Sequence, residues 1–492
     1  MPRPLTILAC MASAALTLPA QAAIQTIAIG SFGPATSDLS GLNYALEDGA
    51  SASLLGGFGS AIAYAGGNTF IATPDRGPNA SSYNASIDNT TSYISRFQTF
   101  DLGLANSYTL APGAIATLAP TLTATTLLYS PSPLSYGSAT SPGSSSGAPS
   151  LNTAGKDYFS GRSDNFAAGL ASTDASNGRF DPEGARVSKD GKSVFITDEY
   201  GPFVYQFDRA TGARIKTFTL PSHYAVATQS PMGTTEKNTA VNPVGRVANK
   251  GMEGLAITPD GSKLVGIMQN PLLQDGGESG LNTRIVVIDI ATGSTKEYAY
   301  KLDKNSYGIS EILAVNDHQF LVDERDGGNN KFKKIFSIDL NEPGLSDVSG
   351  VATLGAVTTP TKTVFLDLLA KNADGTSKYG LWTGTDPVAG GLPSKIEGMA
   401  FGKDVMVNGV LKHTLVITND NDFVTGAGAV NNNYFYVFGI DGDAVHLNGD
   451  GGLALNYSAQ EIAAPVPLPA AWALMAFGMG GFGVVSRRRK AR

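Results

Sequence analysis

The stretch DPEGARVSKDGKSVFITDEYG, residues 181–201, opens with two carboxylates, Asp181 and Glu183, and closes with two more, Asp198 and Glu199. A Lys-Asp-Gly turn leads into a short apolar run, residues 193–197. If the two halves pair as antiparallel strands, the end of the second returns to the start of the first, and the acids meet in space. Carboxylates brought together repel unless they are protonated or neutralised by a cation. An oxygen-only cluster selects Ca²⁺ or Mg²⁺ over zinc or copper. Such a cation can bridge phosphate oxygens and lower the pKa of an attacking water. The chemistry these residue types could support is metal-assisted ester hydrolysis.

The arrangement recurs. FGSAIAYAGGNTFIATPDRG (58–77), FDPEGARVSKDGKSVFITDEYG (180–201), KGMEGLAITPDGSKLVGIMQN (250–270), YGISEILAVNDHQFLVDERDG (307–327) and SKIEGMAFGKDVMVNGVLKHTLVITNDND (394–422) share one plan. Each has a small or acidic residue, an apolar strand, a Gly or Asp turn, a second apolar strand and a polar end. Four of the five carry a leading Glu: Glu183, Glu253, Glu311 and Glu397. The second strands end in Asp75-Arg76, Asp198-Glu199, Gln269-Asn270, Glu324-Arg325, and Asp420 with Asp422.

A second strand pair is expected after each unit, with Asp-x-x-Thr-Gly or Asp-Gly turn centres in several. Two hairpins make a four-stranded antiparallel sheet, the blade of a β-propeller. The predicted fold is all-β. Six blades are expected, with five and seven as bounds, the sixth sought in residues 351–382 or 111–129. First strands line a propeller's central channel, so the leading glutamates would form one ring. Glu183, Glu253, Asp198 and Glu199 are the candidate catalytic groups. Glu183, Glu253, Glu311, Glu397, Asp75 and Glu324 are the candidate metal ligands. Arg76 and Arg325, each beside an acid, would be bidentate phosphate clamps or simple ion-pair partners. Asp190, Asp208, Asp260 and Asp289 read as turn residues, outside the site.

The rest of the composition excludes several classes. Cys10, the only cysteine, lies in an N-terminal apolar run ending in Ala20-Gln21-Ala22, which reads as a secretory signal peptide over residues 1–22. The remaining chain has no thiol for catalysis or zinc, and its four histidines lack ligand spacing. No Gly-x-Ser-x-Gly elbow or P-loop occurs. At the other end, Val466-Pro-Leu-Pro-Ala470 precedes an apolar run over 470–485 and a terminal basic cluster. This tail, residues 466–492, resembles the PEP-CTERM sorting class in its VPLPA variant. The resemblance implies an exosortase-type partner and delivery to the cell surface, outer membrane or extracellular matrix, with a transient or retained C-terminal membrane anchor. Loss of both ends would remove six basic residues and no acids, moving the net charge from −7 to −13. Such a surface repels nucleic acid. Residues 23–455 are the expected propeller domain, with a Ser/Gly/Pro-rich insertion at 130–150 and a linker at 456–465. The polar loop 222–249 could cover one propeller face.

The strings FDPEGARVSKDGKSVFITDEYGP, NKGMEGLAITPDGSKLVGIMQNPL, TRIVVIDIATG and GISEILAVNDHQFLVDERD, with TPDRGPN at 73–79, resemble the phytase-like family, "esterase-like activity of phytase". The resemblance runs from about residue 56 to residue 440 and implies a propeller-like hydrolase domain. A phosphoric ester hydrolase with Ca²⁺ as cofactor is the leading expectation, its substrate a small phosphoester or ester. A calcium-dependent lactonase or carboxylesterase is one alternative. A non-catalytic matrix protein, with extracellular polysaccharide as a partner, is the other.

Overall fold

The structure, a computed structural model, describes residues 23–463 apart from 33–35, 81–84, 138–146, 168, 329, 424–431 and 444. Five four-stranded antiparallel units dominate it. Blade I comprises Ala61–Tyr64, Thr69–Thr73, Arg96–Asp101 and Thr121–Leu127. Blade II comprises Pro182–Val187, Ser193–Asp198, Phe203–Asp208 and Arg214–Thr219. Blade III comprises Met252–Ile257, Lys263–Met268, Asn282–Asp289 and Thr295–Lys301. Blade IV comprises Tyr307–Ala314, Gln319–Asp326, Lys333–Asp339 and Thr363–Asp367. Blade V comprises Ile396–Phe401, Val410–Asn419, Asn433–Ile440 and, as its outermost strand, Ile24–Phe32. Each first strand packs against the next around a closed ring, I to V and back to I. The molecule is a β-propeller, closed by its N-terminal strand.

The expected sixth blade is absent among the described residues. The two segments searched for it supply outer strands instead: Thr121–Leu127 completes blade I and Thr363–Asp367 completes blade IV. In blades II and III the fourth strand directly follows the third across an Asp-x-x-Thr-Gly turn. There Thr211 and Thr292 donate to Asp208 and Asp289, while Gly212 and Gly293 take positive φ. In blades I, IV and V the chain leaves the sheet after the third strand, and the fourth arrives from a distance.

Burial on both faces explains why these strands read as continuous apolar runs. Every gap between blades holds one apolar cluster. Ile71 and Phe97 meet Val187 and Tyr205 between I and II, and Phe195 and Val204 meet Leu255 and Leu264 between II and III. Val265 and Ile285 meet Ile312 and Phe320 between III and IV. Leu321 and Phe365 meet Met399 and Phe438 between IV and V, and Val416 and Val437 meet Ile62 and Phe70 across the closure. Each such side chain contributes about 1.5–3 kcal/mol when fully buried. Residues 457–463 also lie on the propeller, with Tyr457 in a core cluster and Ala463 N–H bonded to Lys189. No helix among the described residues is long and apolar enough to cross a membrane. The expected signal peptide, 1–22, and sorting tail, 466–492, lie outside those residues, as do positions 464–465 of the expected linker, 456–465.

Candidate functional site

Close packing at the axis shapes the Glu-Gly pairs. A Cβ on Gly184 would sit 2.7 Å from Leu255 N of blade III, and one on Gly254 2.7 Å from Ile312 N of blade IV. A Cβ on Gly398 would lie 2.7 Å from Ile62 N of blade I. Only glycine lets these strands approach so closely. Beside each pair the strand register slips, between Pro182 and Ala185, Met252 and Gly254, Ile309 and Glu311, and Ile396 and Met399. A bulge of this kind re-aims a side chain. Here it turns Glu183, Glu253 and Glu397 into a central cavity of about 300 Å³.

All five blades contribute to that cavity. Ser60, Glu183, Glu253 and Glu397 form an inner circle. Asp75, Glu199, Gln269, Arg325 and Asp420 form an outer one, from the ends of the second strands. Arg76, Lys250, Lys395 and Asp422 complete the charged wall, giving seven carboxylates against four cations.

Several expected residues lie elsewhere. Glu311 falls one position past the inner circle. Ser310 follows the paired Ile309 as Glu183 follows Pro182, so Ser310 is the equivalent of Glu183 and Glu311 takes the glycine's place. Glu311 lies deeper on the axis, paired with Arg186 at 3.0 Å and accepting from Leu255 N–H. Glu324 points to the opposite face of its strand, bonded to Tyr300 and Lys362. Adjacent strand residues face opposite ways, so of Glu324-Arg325 only one can reach the mouth. Asp198 is also outside the cavity lining. It accepts from the Asp181 and Tyr200 backbone N–H groups, at 3.2 and 3.0 Å, and so fixes the start of the Asp-Pro-Glu-Gly segment.

Asp181 was the omission. Its ligand oxygens and those of Glu183 and Glu199 lie within 4.8 Å of one another, and all three residues are buried. Its place beside Glu183 in the Asp-Pro-Glu-Gly run was the available signal. Lys395 was missed as well, although it stands two residues before Glu397. This buried acidic trio could hold a metal ion.

The charge is unevenly settled. On the blade V side, Lys395 Nζ reaches Asp420 at 2.6 Å and Asp422 at 2.5 Å, and Arg325 Nη2 reaches Glu397 at 2.5 Å. Arg325 also donates to Ser310 Oγ and Asp326 O, so each of its nitrogens has a protein partner. Arg76 pairs with Asp181 at 3.1 Å and keeps 20% of its side chain exposed. Toward blades II and III, compensation fails. Glu199 accepts from Gly251 N–H at 2.6 Å and Glu253 from the Gln269 amide at 3.1 Å. Among the described residues nothing donates to Glu183.

Titration follows this geometry. Burial, then the neighbouring Glu253 and Asp181, pushes the Glu183 carboxyl well above its usual range. Glu253 is raised likewise by burial, then by Glu199 and Glu397. Burial also raises Asp75, Glu199, Glu397 and Asp420 to about 7. Glu183 and Glu253 carry protons near neutrality unless a cation replaces them, while Arg325 and Lys395 oppose protonation of Glu397 and Asp420.

Such a wall on a closed ring of five four-stranded sheets defines a β-propeller with an acidic mouth. Residues 53–423 match the family described as esterase-like activity of phytase, and the chain belongs to it. An uncharacterised secreted protein of Arthroderma benhamiae is 30% identical over 153 residues, 28% of each chain. The chain therefore spans under a third of that curated relative. Among solved structures, a luciferin-regenerating enzyme shows 10% identity and a TM-score of 0.31, covering 83% of this chain and 97% of its own. The periplasmic gluconolactonase of Pseudomonas aeruginosa shows 10% identity and a TM-score of 0.27, covering 80% and 92%. The sheet ring itself, rather than these distant likenesses, defines the fold.

Proposed function

We propose that the protein is an exported, metal-dependent phosphoric ester hydrolase acting at the acidic propeller mouth. The observation that carries this reading is the trio Asp181, Glu183 and Glu199, with Glu183 unpartnered, in a cavity that Arg76 also lines. A site made only of carboxylate oxygens suits Ca²⁺. When bound, that ion would neutralise the trio and polarise a phosphoryl oxygen.

The chain's own residues supply the rest. Asp181 and Glu199 are held in place by Arg76 and by Gly251 N–H. Arg76, with a fifth of its side chain exposed, would orient the phosphoryl oxygens. Arg325 steadies Glu397 rather than offering a free clamp. Hydrolysis breaks the bond from phosphorus to the leaving oxygen and adds one water: its OH goes to phosphorus, the leaving oxygen takes a proton from an acid, and the water's other proton restores that acid. Glu253, kept protonated by burial beside Glu199 and Glu397, is placed to give that proton.

The secreted relative and the signal-like N terminus support export. The sorting tail supports surface or matrix delivery. The test is phosphate release from a panel of phosphomonoesters with and without Ca²⁺, in the wild type and in Glu183→Gln. Calcium-dependent release lost in the variant supports the reading. Turnover of lactones or carboxylic esters without any phosphate release would replace it.

A further inference from the structure

The outer edges of the five blades are not guarded alike. In blade V the outermost strand is covered, with Ala116–Thr117 lying parallel beside Ala28 and Ile29. In blade III the chain at 348–349 covers it: Val348 N–H reaches Glu297 O at 3.0 Å, and Glu297 N–H reaches Ser349 Oγ at 2.9 Å. Blade II carries Arg214 and Lys216 on its edge strand, and blade IV has Lys362 before its own and Asp367 at its end. Charge on an edge is a common protection against pairing with another chain. Blade I lacks it. Its outermost strand, Thr121–Leu127, reads TLTATTL and pairs on one side alone, with Arg96–Asp101. Among the described residues no backbone hydrogen bond leaves its other side, where Leu39 N–H meets the Thr125 hydroxyl at 2.9 Å.

The neutrality extends well beyond that strand. From residue 102 to residue 155 the chain has no Asp, Glu, Lys, Arg or His, in a protein of net charge −7. The folded path of the first half shows where this neutral stretch lies. After Asp101 the chain leaves blade I, and Ser107–Tyr108 runs parallel beside Met406–Val407 of blade V. It then covers the blade V edge at Ala116–Thr117 and returns as Thr121–Leu127. Ala105, Ala111, Pro112, Ala114, Ala119 and Thr123 are exposed along the way. The result is a neutral belt over the outer flank of blades V and I, ending in an open strand edge. Pro120, which cannot donate to a ladder, stands before the strand rather than in it. Ala124, the middle residue of the strand, is exposed.

We propose that this edge pairs with the same edge of a second copy of the chain, Thr121–Leu127 running antiparallel to its twofold mate about Ala124 and joining two blades into one eight-stranded sheet. Two observations select a second copy as the occupant. Two acidic chains repel over most of their surface, and the belt lets them meet with no like charges facing each other. Pairing about a twofold axis also uses each open edge once, so it closes as a dimer instead of growing into a fibre. The edge lies at the rim of the propeller and the acidic cavity at its axis, so both mouths stay open. The pairing does not depend on the hydrolase reading.

The test is the mass of the full chain in solution, followed by sedimentation over a dilution series. A species of twice the chain mass is expected at the concentrated end. Ala124→Lys and Ala124→Glu each set like charges against each other across the twofold axis, and each should raise the dissociation constant about tenfold or more. An unchanged melting temperature shows that these exposed substitutions leave the fold intact. Mixing the two variants sets Lys opposite Glu, and the dimer should return. A wild type that stays monomeric throughout overturns the proposal, as does a dimer that neither variant weakens. Monomeric variants that fail to associate on mixing overturn it too. A wild-type monomer held back on a dextran column would assign the belt to a neutral polysaccharide instead.

Discussion

The two sides of the propeller mouth are built from the same residue types to opposite ends. Toward blades IV and V, Lys395 and Arg325 neutralise Asp420, Asp422 and Glu397 at 2.5–2.6 Å, and the acids there serve the fold. Toward blades II and III, Arg76 pairs with Asp181, while the hydrogen bonds to Glu199 and Glu253 come only from a backbone N–H and an amide. Uncompensated buried carboxylates destabilise a folded chain. A region that keeps them is set up to receive something that removes the repulsion. The difference separates acids that hold the ring from acids left short of counter-charge, the ones that on the proposed reading receive a cation and a substrate.

The largest effect expected from this contrast is catalytic. Glu253→Gln keeps the shape but removes the transferable proton, and should cost about 10²–10⁴-fold in kcat. Steady-state phosphate release with Ca²⁺ present checks this. Next in size is a stability difference of opposite sign. Glu397→Gln strands the buried Arg325 charge and should destabilise by about 3 kcal/mol. Glu183→Gln relieves repulsion and should raise the melting temperature of the metal-free protein. Equal destabilisation by both, seen in thermal melts after chelation, would erase the distinction between the two sides.

A smaller effect comes from the metal. Ca²⁺ at 100 times its dissociation constant should stabilise the wild type by about 2.7 kcal/mol. It should stabilise Glu183→Gln much less. The smallest effect per step is with pH. Asp75, Glu199, Glu397 and Asp420 have pKa values near 7 in the fold, raised by burial, so between about pH 4.5 and 7 the folded chain binds more protons than the unfolded one. Their contribution is present at low pH and lost as pH rises through 7, at up to about 1.4 kcal/mol per pH unit for each proton. Metal-free protein should therefore melt lower at pH 7.5 than at pH 5, and saturating Ca²⁺ should narrow that gap. A melting temperature that rises over the same range without metal would contradict the assignment.

Much of this was legible in the sequence because a repeat reports on three-dimensional neighbours. Glu183, Glu253 and Glu397 recur before a glycine, and the glycine is forced by close packing at the axis. Glu311 misled because Ser-Glu-Ile resembles Glu-Gly-Met in composition but is shifted by one residue, and one residue reverses the facing of a strand. Glu324 failed for the same reason. Five blades stand at the lower bound of the expected five to seven, because the segments sought for a sixth supply fourth strands instead. In blade V that strand comes from residues 24–32, far away in sequence, and no local pattern announces such a pairing. Asp181 stood in plain view, but only the folded hairpin brings it within reach of Glu199.

The most direct measurement is a calcium titration of the chelator-stripped protein, following melting temperature and phosphate release together. The account predicts that both rise over the same calcium range and that Glu183→Gln sharply weakens both responses. A flat melting curve with no phosphate released from any ester, at calcium concentrations that saturate ordinary carboxylate sites, would contradict it.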